Sequence, residues 1–267
     1  MEYLCSRMNS PQTHGSVLAY MLRRLVFWFG FYTRPVFHRV VAVFSKVGNP
    51  PVFSNETFAW ARELSANWEA IRDEALALLK HRQEIPPLRV LSPDHDRIAV
   101  DDKWQAFFIW GYGYKAAGNA AHCPVTTRAV ERIPGLISAF FSIHAPGIHI
   151  PRHYGVTKGM LTCHLALKVP RQAEKCRIEI DGRKYVWTAG ECLIFDDTYY
   201  HEVWNDTGED RVILLVQFER PLRQPGKTVA DGFMWLARHS PFIQTSLRQI
   251  GEWEDRYART ADGAARE

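Results

Sequence analysis

Between Glu56 and Leu79 the apolar residues Phe58, Leu64, Trp68, Ile71, Ala75 and Leu79 recur mostly at three- and four-residue steps among charged neighbours. That spacing puts them on one helical face and predicts a long amphipathic helix, with Asn55 as its N-cap and Pro86-Pro87 as its stop. The aromatic run from Trp104 to Tyr114 reads as a buried strand entering a glycine loop, and a short helix is expected over Thr126 to Arg132. From Ile137 the period changes to that of strands. Short apolar and β-branched runs cover Ile137 to Ile143, His149 to Ile150, Met160 to Val169, Cys176 to Ile180, Lys184 to Trp187, Glu191 to Phe195, His201 to Trp204 and Val212 to Phe218. Asp181-Gly182 marks a two-residue hairpin, and Asn205-Asp206-Thr207-Gly208 a longer turn. About eight short strands in roughly eighty residues imply a mainly β core, a double-stranded β-helix or jelly roll, with N- and C-terminal helices around it. After Pro221 helical spacing returns with Ile243, Leu247 and Ile250 on one stripe, and Arg259 to Glu267 reads as a frayed tail.

Gly48-Asn49-Pro50-Pro51 is a breaker cluster that sets the first fifty residues apart. The expected organisation is a basic, aromatic segment over 1–50, a helical and mixed support region over 51–136, the β core over 137–222 and a helical extension over 223–267. With 267 residues, 46% of them hydrophobic, the chain can bury one generous core and is not a disordered one. Charge changes the picture only locally. Arg7, Arg23, Arg24, Arg34, Arg39 and Lys46 face a single acid, Glu2, within the first fifty residues. Between them runs the apolar series Leu25 to Tyr32. Arg23 and Arg24 would each cost about 2.5–3.5 kcal/mol at a bilayer centre, so a spanning helix is not expected. Two readings of the segment stand: contact with an anionic membrane surface, or amphipathic helices packed on the body of the protein. No secretory pattern is evident, so the expectation is a cytoplasmic protein, peripheral at the inner membrane face if the first reading holds.

The net charge of +4 is too balanced for a nucleic-acid binder, and the N-terminal aromatics form apolar runs instead of alternating with charges. Five cysteines with no C-x-x-C spacing indicate neither a disulfide framework nor a zinc site; Cys163 and Cys192 read as ordinary strand residues.

Chemistry concentrates in the strand region. Gly190 to Asn205 runs as a glycine, a short strand, a turn and then His201, the order of the second motif of cupin-type barrels. Gly147 and His153 fit the start of the first motif, but its second histidine and its acid are missing, and Gly155 stands two residues after His153. A non-haem iron site normally takes two histidines and one carboxylate. Either the barrel has lost its metal, or two histidines hold iron while water or a cosubstrate fills the other positions. Arg211 bears on the choice. It precedes Val212, Ile213, Leu214 and Leu215 on a core strand, where a lone cation is costly unless paired. A turn centred near Asp206-Thr207 would set 201 and 212 opposite each other on paired strands, with Arg211 at the histidine's end. An anionic ligand, a carboxylate for preference, is therefore expected at Arg211; a pair with Asp197 or another loop acid is the alternative.

The residues Ser142-Ile143-His144-Ala145-Pro146-Gly147, His153-Tyr154-Gly155, His164 to Pro170, Phe195-Asp196-Asp197-Thr198 with His201-Glu202-Val203-Trp204, and Arg211 carry a resemblance. Together they resemble the aspartyl/asparaginyl β-hydroxylase family of Fe(II)- and 2-oxoglutarate-dependent dioxygenases. The resemblance implies His153 and His201 as metal ligands, with the missing carboxylate a mark of the family. It implies Arg211 and Ser142 on the distal carboxylate of 2-oxoglutarate and His164 on the cosubstrate near the metal. Asp196, Asp197 and Thr162 would stand just outside this set, an aspartate orienting a metal-held water. O2 would oxidise 2-oxoglutarate to succinate and CO2 while a substrate C–H becomes C–OH.

Protein-modifying relatives carry arginines just before the motif histidine, whereas Met160, Leu161, Thr162 and Cys163 are uncharged. With the basic N-terminal segment, this makes the chain similar to members that hydroxylate C2 of a fatty acyl chain in a membrane lipid of the lipid A or ornithine-lipid type. The alternatives are β-hydroxylation of Asp or Asn in a peptide, protein or small molecule, and a non-catalytic module that binds an anion. His122, His144 and His149 have no ligand spacing and read as surface or loop residues, and Arg152 as a contact to an anionic head group or a solvated cation.

Overall fold

The computed structural model describes residues 34–264 other than 93, 94 and 96. The chain divides into two compact units, Met1–Val40 and Val41–Glu267. Of the expected basic segment 1–50, residues 34–44 are helical (α1), 45–50 lead into the second unit's first strand, and 1–33 lie outside the described residues. Among the described residues no helix is long and apolar enough to cross a membrane.

In the second unit two antiparallel sheets face each other as a jelly roll. The larger has seven strands in the order β1 (Val52–Phe53), β9 (Cys192–Phe195), β6 (Met160–Lys168), β11 (Arg211–Glu219), β4 (Leu136–His144), β2 (Trp104–Gly111) and β3 (Tyr114–Lys115). The smaller runs β5 (Ile148–His153), β10 (His201–Asn205), β7 (Cys176–Ile180) and β8 (Arg183–Val186). From β4 onward, apart from the β7–β8 hairpin within the smaller sheet, the chain passes back and forth between the sheets, so that most neighbours in sequence face each other across the core. The hairpin between β7 and β8 turns on Asp181 and Gly182, whose φ angles of 50° and 76° are those of a two-residue primed turn.

Helices cover the outer face of the larger sheet. In chain order they are α2 (Ala59–Ala66), α3 (Trp68–Leu79), α4 (Leu88–Leu91), α5 (Ala117–His122), α6 (Pro124–Glu131), α7 (Gly226–Arg238) and α8 (Pro241–Ala264). Strand β2 buries Phe107 edge-on against Trp253 and Tyr257 of α8, at ring separations of 5.5 and 5.8 Å. With one face on the core and one under helices, β4 and β6 lose almost all exposure and β11 most of it, which is why apolar residues dominate both faces of these strands.

Four expectations are corrected. The helix expected over 56–79 is broken at Asn67 (φ −100°, ψ 8°), whose Nδ2 donates to the Glu63 carbonyl and competes with the helical hydrogen bonds. Asn55 does not cap it: residues Asn55–Thr57 form a separate 3-10 turn, capped by Ser54, whose Oγ accepts from the Glu56 N–H, and the α-helix starts only at Ala59, after Phe58 and without a side-chain cap. The tail from Arg259 is helical as far as Ala264. Finally, β10 and β11 lie in different sheets: His201 pairs with His153 and Ile180, while Arg211 pairs with His144. The connection between them crosses the core instead of closing a hairpin. The sequence pattern did not single out the short elements β1, β3, α4 and α5, whereas α7 falls within the helical extension expected over 223–267.

Candidate functional site

His153 ends β5 and His201 begins β10, directly across the strand pair. Their rings lie 4.1 Å apart between centroids and are tilted by 56°. Each Nδ1 is bonded to a carbonyl two residues back, His153 to Pro151 at 2.8 Å and His201 to Tyr199 at 3.0 Å. A carbonyl only accepts, so each Nδ1 carries the proton and each Nε2 keeps its lone pair. Burial, reinforced by the neighbouring His153, pushes the His201 imidazole down to about 4. Burial also lowers His153, with the Pro151 carbonyl and Glu202 working against it. Two neutral, oriented nitrogen donors side by side suit a divalent transition metal. Among the described residues no third His, Cys, Asp or Glu joins them to make a three-ligand group.

The place where a third ligand would hang is filled from elsewhere. A Cβ on Gly155 would collide with the carboxylate of Asp197. The Gly155 N–H donates to the Asp197 carbonyl at 2.6 Å, and Thr162 Oγ1 donates to Asp197 Oδ2 at 3.3 Å. Glycine at 155 is therefore what lets an aspartate from the loop before β10 reach the ground beside His153. Asp196, next door, faces another way. Lys158 and Arg220 both donate to its Oδ2, and Thr198 donates to Oδ1 through its backbone N–H and its hydroxyl. With both oxygens engaged, this carboxylate fastens the loop between β9 and β10.

Arg211 opens β11, beside the Asn205 end of β10, so about four residue steps of strand, roughly 13 Å, separate its level from His201. It is 1% exposed, and Cζ sits 4.6 Å above the ring of Trp187. Nε and Nη2, which form the side edge of the guanidinium, are buried without a hydrogen-bond partner. Among the described residues no Asp or Glu is within ion-pair distance. The expected alternative partner, Asp197, is engaged near Gly155 and Thr162. Burial pushes the guanidinium down to about 10, which leaves it charged at neutral pH.

A line of rings joins the two ends. His201 is 5.5 Å from Phe195, Phe195 5.0 Å from His164, and His164 6.1 Å from Trp187. His164 stands between the ends, its imidazole held well below the usual range by burial, then Arg211, then His201. Its Nδ1 is buried without a partner. Ser142 shares the inner face with Arg211, because 142 pairs with 213 and 144 with 211. Its Oγ accepts from Trp104 Nε1 at 3.0 Å, which leaves the hydroxyl proton for another acceptor. The interior thus holds two nitrogen donors at one end and an unpaired guanidinium with a hydroxyl at the other. A small dianion with one chelating end fits both.

Three residues lie at this site that the sequence pattern did not place there. His144 is buried at the end of β4 and is not a surface or loop residue, because it continues the inward alternation that begins at Ser142. Trp187 follows the β8 edge, and no spacing rule links it to Arg211. His95 lies close enough to His153 that the two would repel if both were protonated: burial first, then His153, push its imidazole down to about 4, against a hydrogen bond at Ser92. His149 is exposed, stacked on Trp204 at 5.4 Å and bonded to Glu202, and His122 is exposed at the end of α5. Arg152 is exposed above Tyr200, with Cζ 4.4 Å from that ring.

The family described as Aspartyl/Asparaginyl beta-hydroxylase matches residues 65–221. An ornithine lipid ester-linked acyl 2-hydroxylase of Rhizobium tropici is 42% identical over 219 residues, 82% of this chain and 78% of that protein. The human aspartyl/asparaginyl beta-hydroxylase is 31% identical over 171 residues, 61% of this chain and 21% of that protein. Human aspartate beta-hydroxylase domain-containing protein 2 is 31% identical over 45% of this chain and 34% of that protein.

Proposed function

Since this chain belongs to the aspartyl/asparaginyl β-hydroxylase family, a family of hydroxylases, we propose that it is an Fe(II)- and 2-oxoglutarate-dependent dioxygenase acting on C2 of an acyl chain in a membrane lipid. What carries this reading is the bare side edge of Arg211 inside the barrel that also holds His153 and His201. A buried cation without an acid is kept only where a ligand supplies the charge.

In this reading His153 and His201 hold the ferrous ion through Nε2, and their Nδ1–carbonyl bonds fix the ring planes beforehand. Arg211 takes the distal carboxylate of 2-oxoglutarate side-on, and Ser142 adds its hydroxyl. His164 contacts the cosubstrate between the ends, and Asp197, backed by Thr162, holds water beside the metal position. Iron with 2-oxoglutarate and O2 supplies the chemistry: decarboxylation to succinate and CO2, coupled to insertion of one oxygen atom into a C–H bond. The chain's part is orientation and the exclusion of bulk water.

The lipid reading draws on the extent of identity with the Rhizobium relative, over 82% of this chain against 61% for the human one. It draws also on Thr162, which leaves the wall before His164 uncharged. Incubation with 2-oxoglutarate and Fe(II) should give succinate and a hydroxylated product with ornithine lipid, and neither product with aspartyl peptides. His201→Ala and Arg211→Ala should abolish both products. Succinate formed only with the peptide overturns the lipid assignment, and wild-type succinate formation with neither overturns the reading.

A further inference from the structure

Six polar side-chain atoms of one region of the barrel interior are buried without partners: Nε and Nη2 of Arg211, both ring nitrogens of His144, Nδ1 of His164 and Nε1 of Trp187. Protein interiors satisfy nearly all such atoms, so a cluster of them marks a place where something else binds. The function proposed above uses Arg211 and His164 and leaves His144 unexplained.

His144 is the cross-strand partner of Arg211, the arrangement that brings side chains of neighbouring strands into contact on one face. Its ring stands edge-on to Trp104, with centroids 5.2 Å apart, and the indole N–H of Trp104 is spent on Ser142. Neither neighbour therefore bonds to the imidazole. An apolar side chain would fill the same volume without leaving polar atoms dry, so packing alone does not account for histidine. Burial, then Arg211, then His164 hold its imidazole well below the usual range. The ring is thus neutral, offering one N–H and one lone pair without a second positive charge beside Arg211.

We propose that His144 is a positioning residue for the dicarboxylate cosubstrate, its N–H contacting the same distal carboxylate that Arg211 grips and Ser142 touches. The inference rests on the 2-oxoglutarate reading of the site. Trp187 covers one face of the guanidinium, so a carboxylate must arrive in its plane, at the Nε–Nη2 edge. Each oxygen then keeps a lone pair. Ser142 on one and His144 on the other would stop the carboxylate from rolling about the guanidinium and so aim the keto-acid end at His153 and His201.

The test is calorimetric binding of 2-oxoglutarate to the full chain loaded with Mn(II), together with melting curves of the same protein without 2-oxoglutarate. His144→Leu should weaken binding about tenfold while leaving the ligand-free melting temperature unchanged or raised, since it removes dry polar atoms. His144→Gln, which keeps an N–H, should restore most of the affinity; His144→Phe replaces the leucine variant should that one not fold. A leucine variant that binds like wild type, or that melts earlier with affinity intact, assigns His144 to packing and overturns the proposal. Wild-type protein that binds no 2-oxoglutarate overturns the site reading and this inference with it.

Discussion

In the four-stranded sheet burial alternates: Cys176, Ile178 and Ile180 are inside while Arg177 and Glu179 are not, and His201, Val203 and Asn205 are inside while Glu202 and Trp204 are not. In the seven-stranded sheet β4 and β6 bury almost every residue. The candidate site divides along the same line. The half-wet sheet contributes the histidine pair, at its edge near exposed Tyr154 and Tyr200. The dry sheet contributes Arg211, Ser142 and His164, where no bulk water reaches a bare cation. A metal position needs access to solvent and substrate, whereas an anion anchor gains strength from a low dielectric. Each sheet supplies the environment that its part of the chemistry requires.

Substitutions can break or sharpen this contrast. The largest effect is expected where the two sheets are fastened together, at Asp196 between β9 and β10. Asp196→Asn leaves Lys158 and Arg220 without their shared carboxylate, and should cost about 3–5 kcal/mol. The melting temperature would fall by roughly 10 °C in a chain of this length. A change of a degree or two would mean that the loop is held by other contacts. Next comes Arg211→Met, which removes a cation from the dry sheet. Ligand-free protein should become more stable, by about 1–4 kcal/mol in denaturant titrations, while 2-oxoglutarate binding is lost. Loss of both stability and binding would show that the guanidinium is satisfied from within the protein. The smallest effect belongs to the wet face of the smaller sheet. Arg177→Ala removes an ion pair to Asp206 and a stacking contact on Trp204, both half in solvent, and should change stability by less than about 1 kcal/mol.

The same contrast explains what was legible in the sequence. Alternation in β7 and β10, the apolar-rich run of β6 and the unbroken run Val212 to Val216 in β11 identify strands without any structure. The glycine–strand–turn–histidine order locates His201, and an arginine opening an apolar strand stands out by its cost. What local pattern does not encode is which strands meet. A turn rich in Asn, Asp and Gly between two strands reads as a hairpin, yet here it carries the chain from one sheet to the other, and the register of Arg211 against His144 follows from that crossing. His144 was within reach of the period-two rule once Ser142 was placed. Trp187 was not, because its approach to Arg211 depends on how the edge of the smaller sheet folds over the core. The break at Asn67 turns on one side-chain hydrogen bond, a detail that apolar spacing cannot register.

The fit between Gly155 and Asp197 also restricts how such a protein can evolve. Placing an acidic residue at 155 takes a single nucleotide change from any glycine codon, but the newcomer would meet the carboxylate already lodged there. Position 197 would have to shrink first, and that step forfeits its bonds to Thr162 before any replacement exists. The order of mutations is therefore constrained: an acid can settle at 155 only after the aspartate facing it has gone.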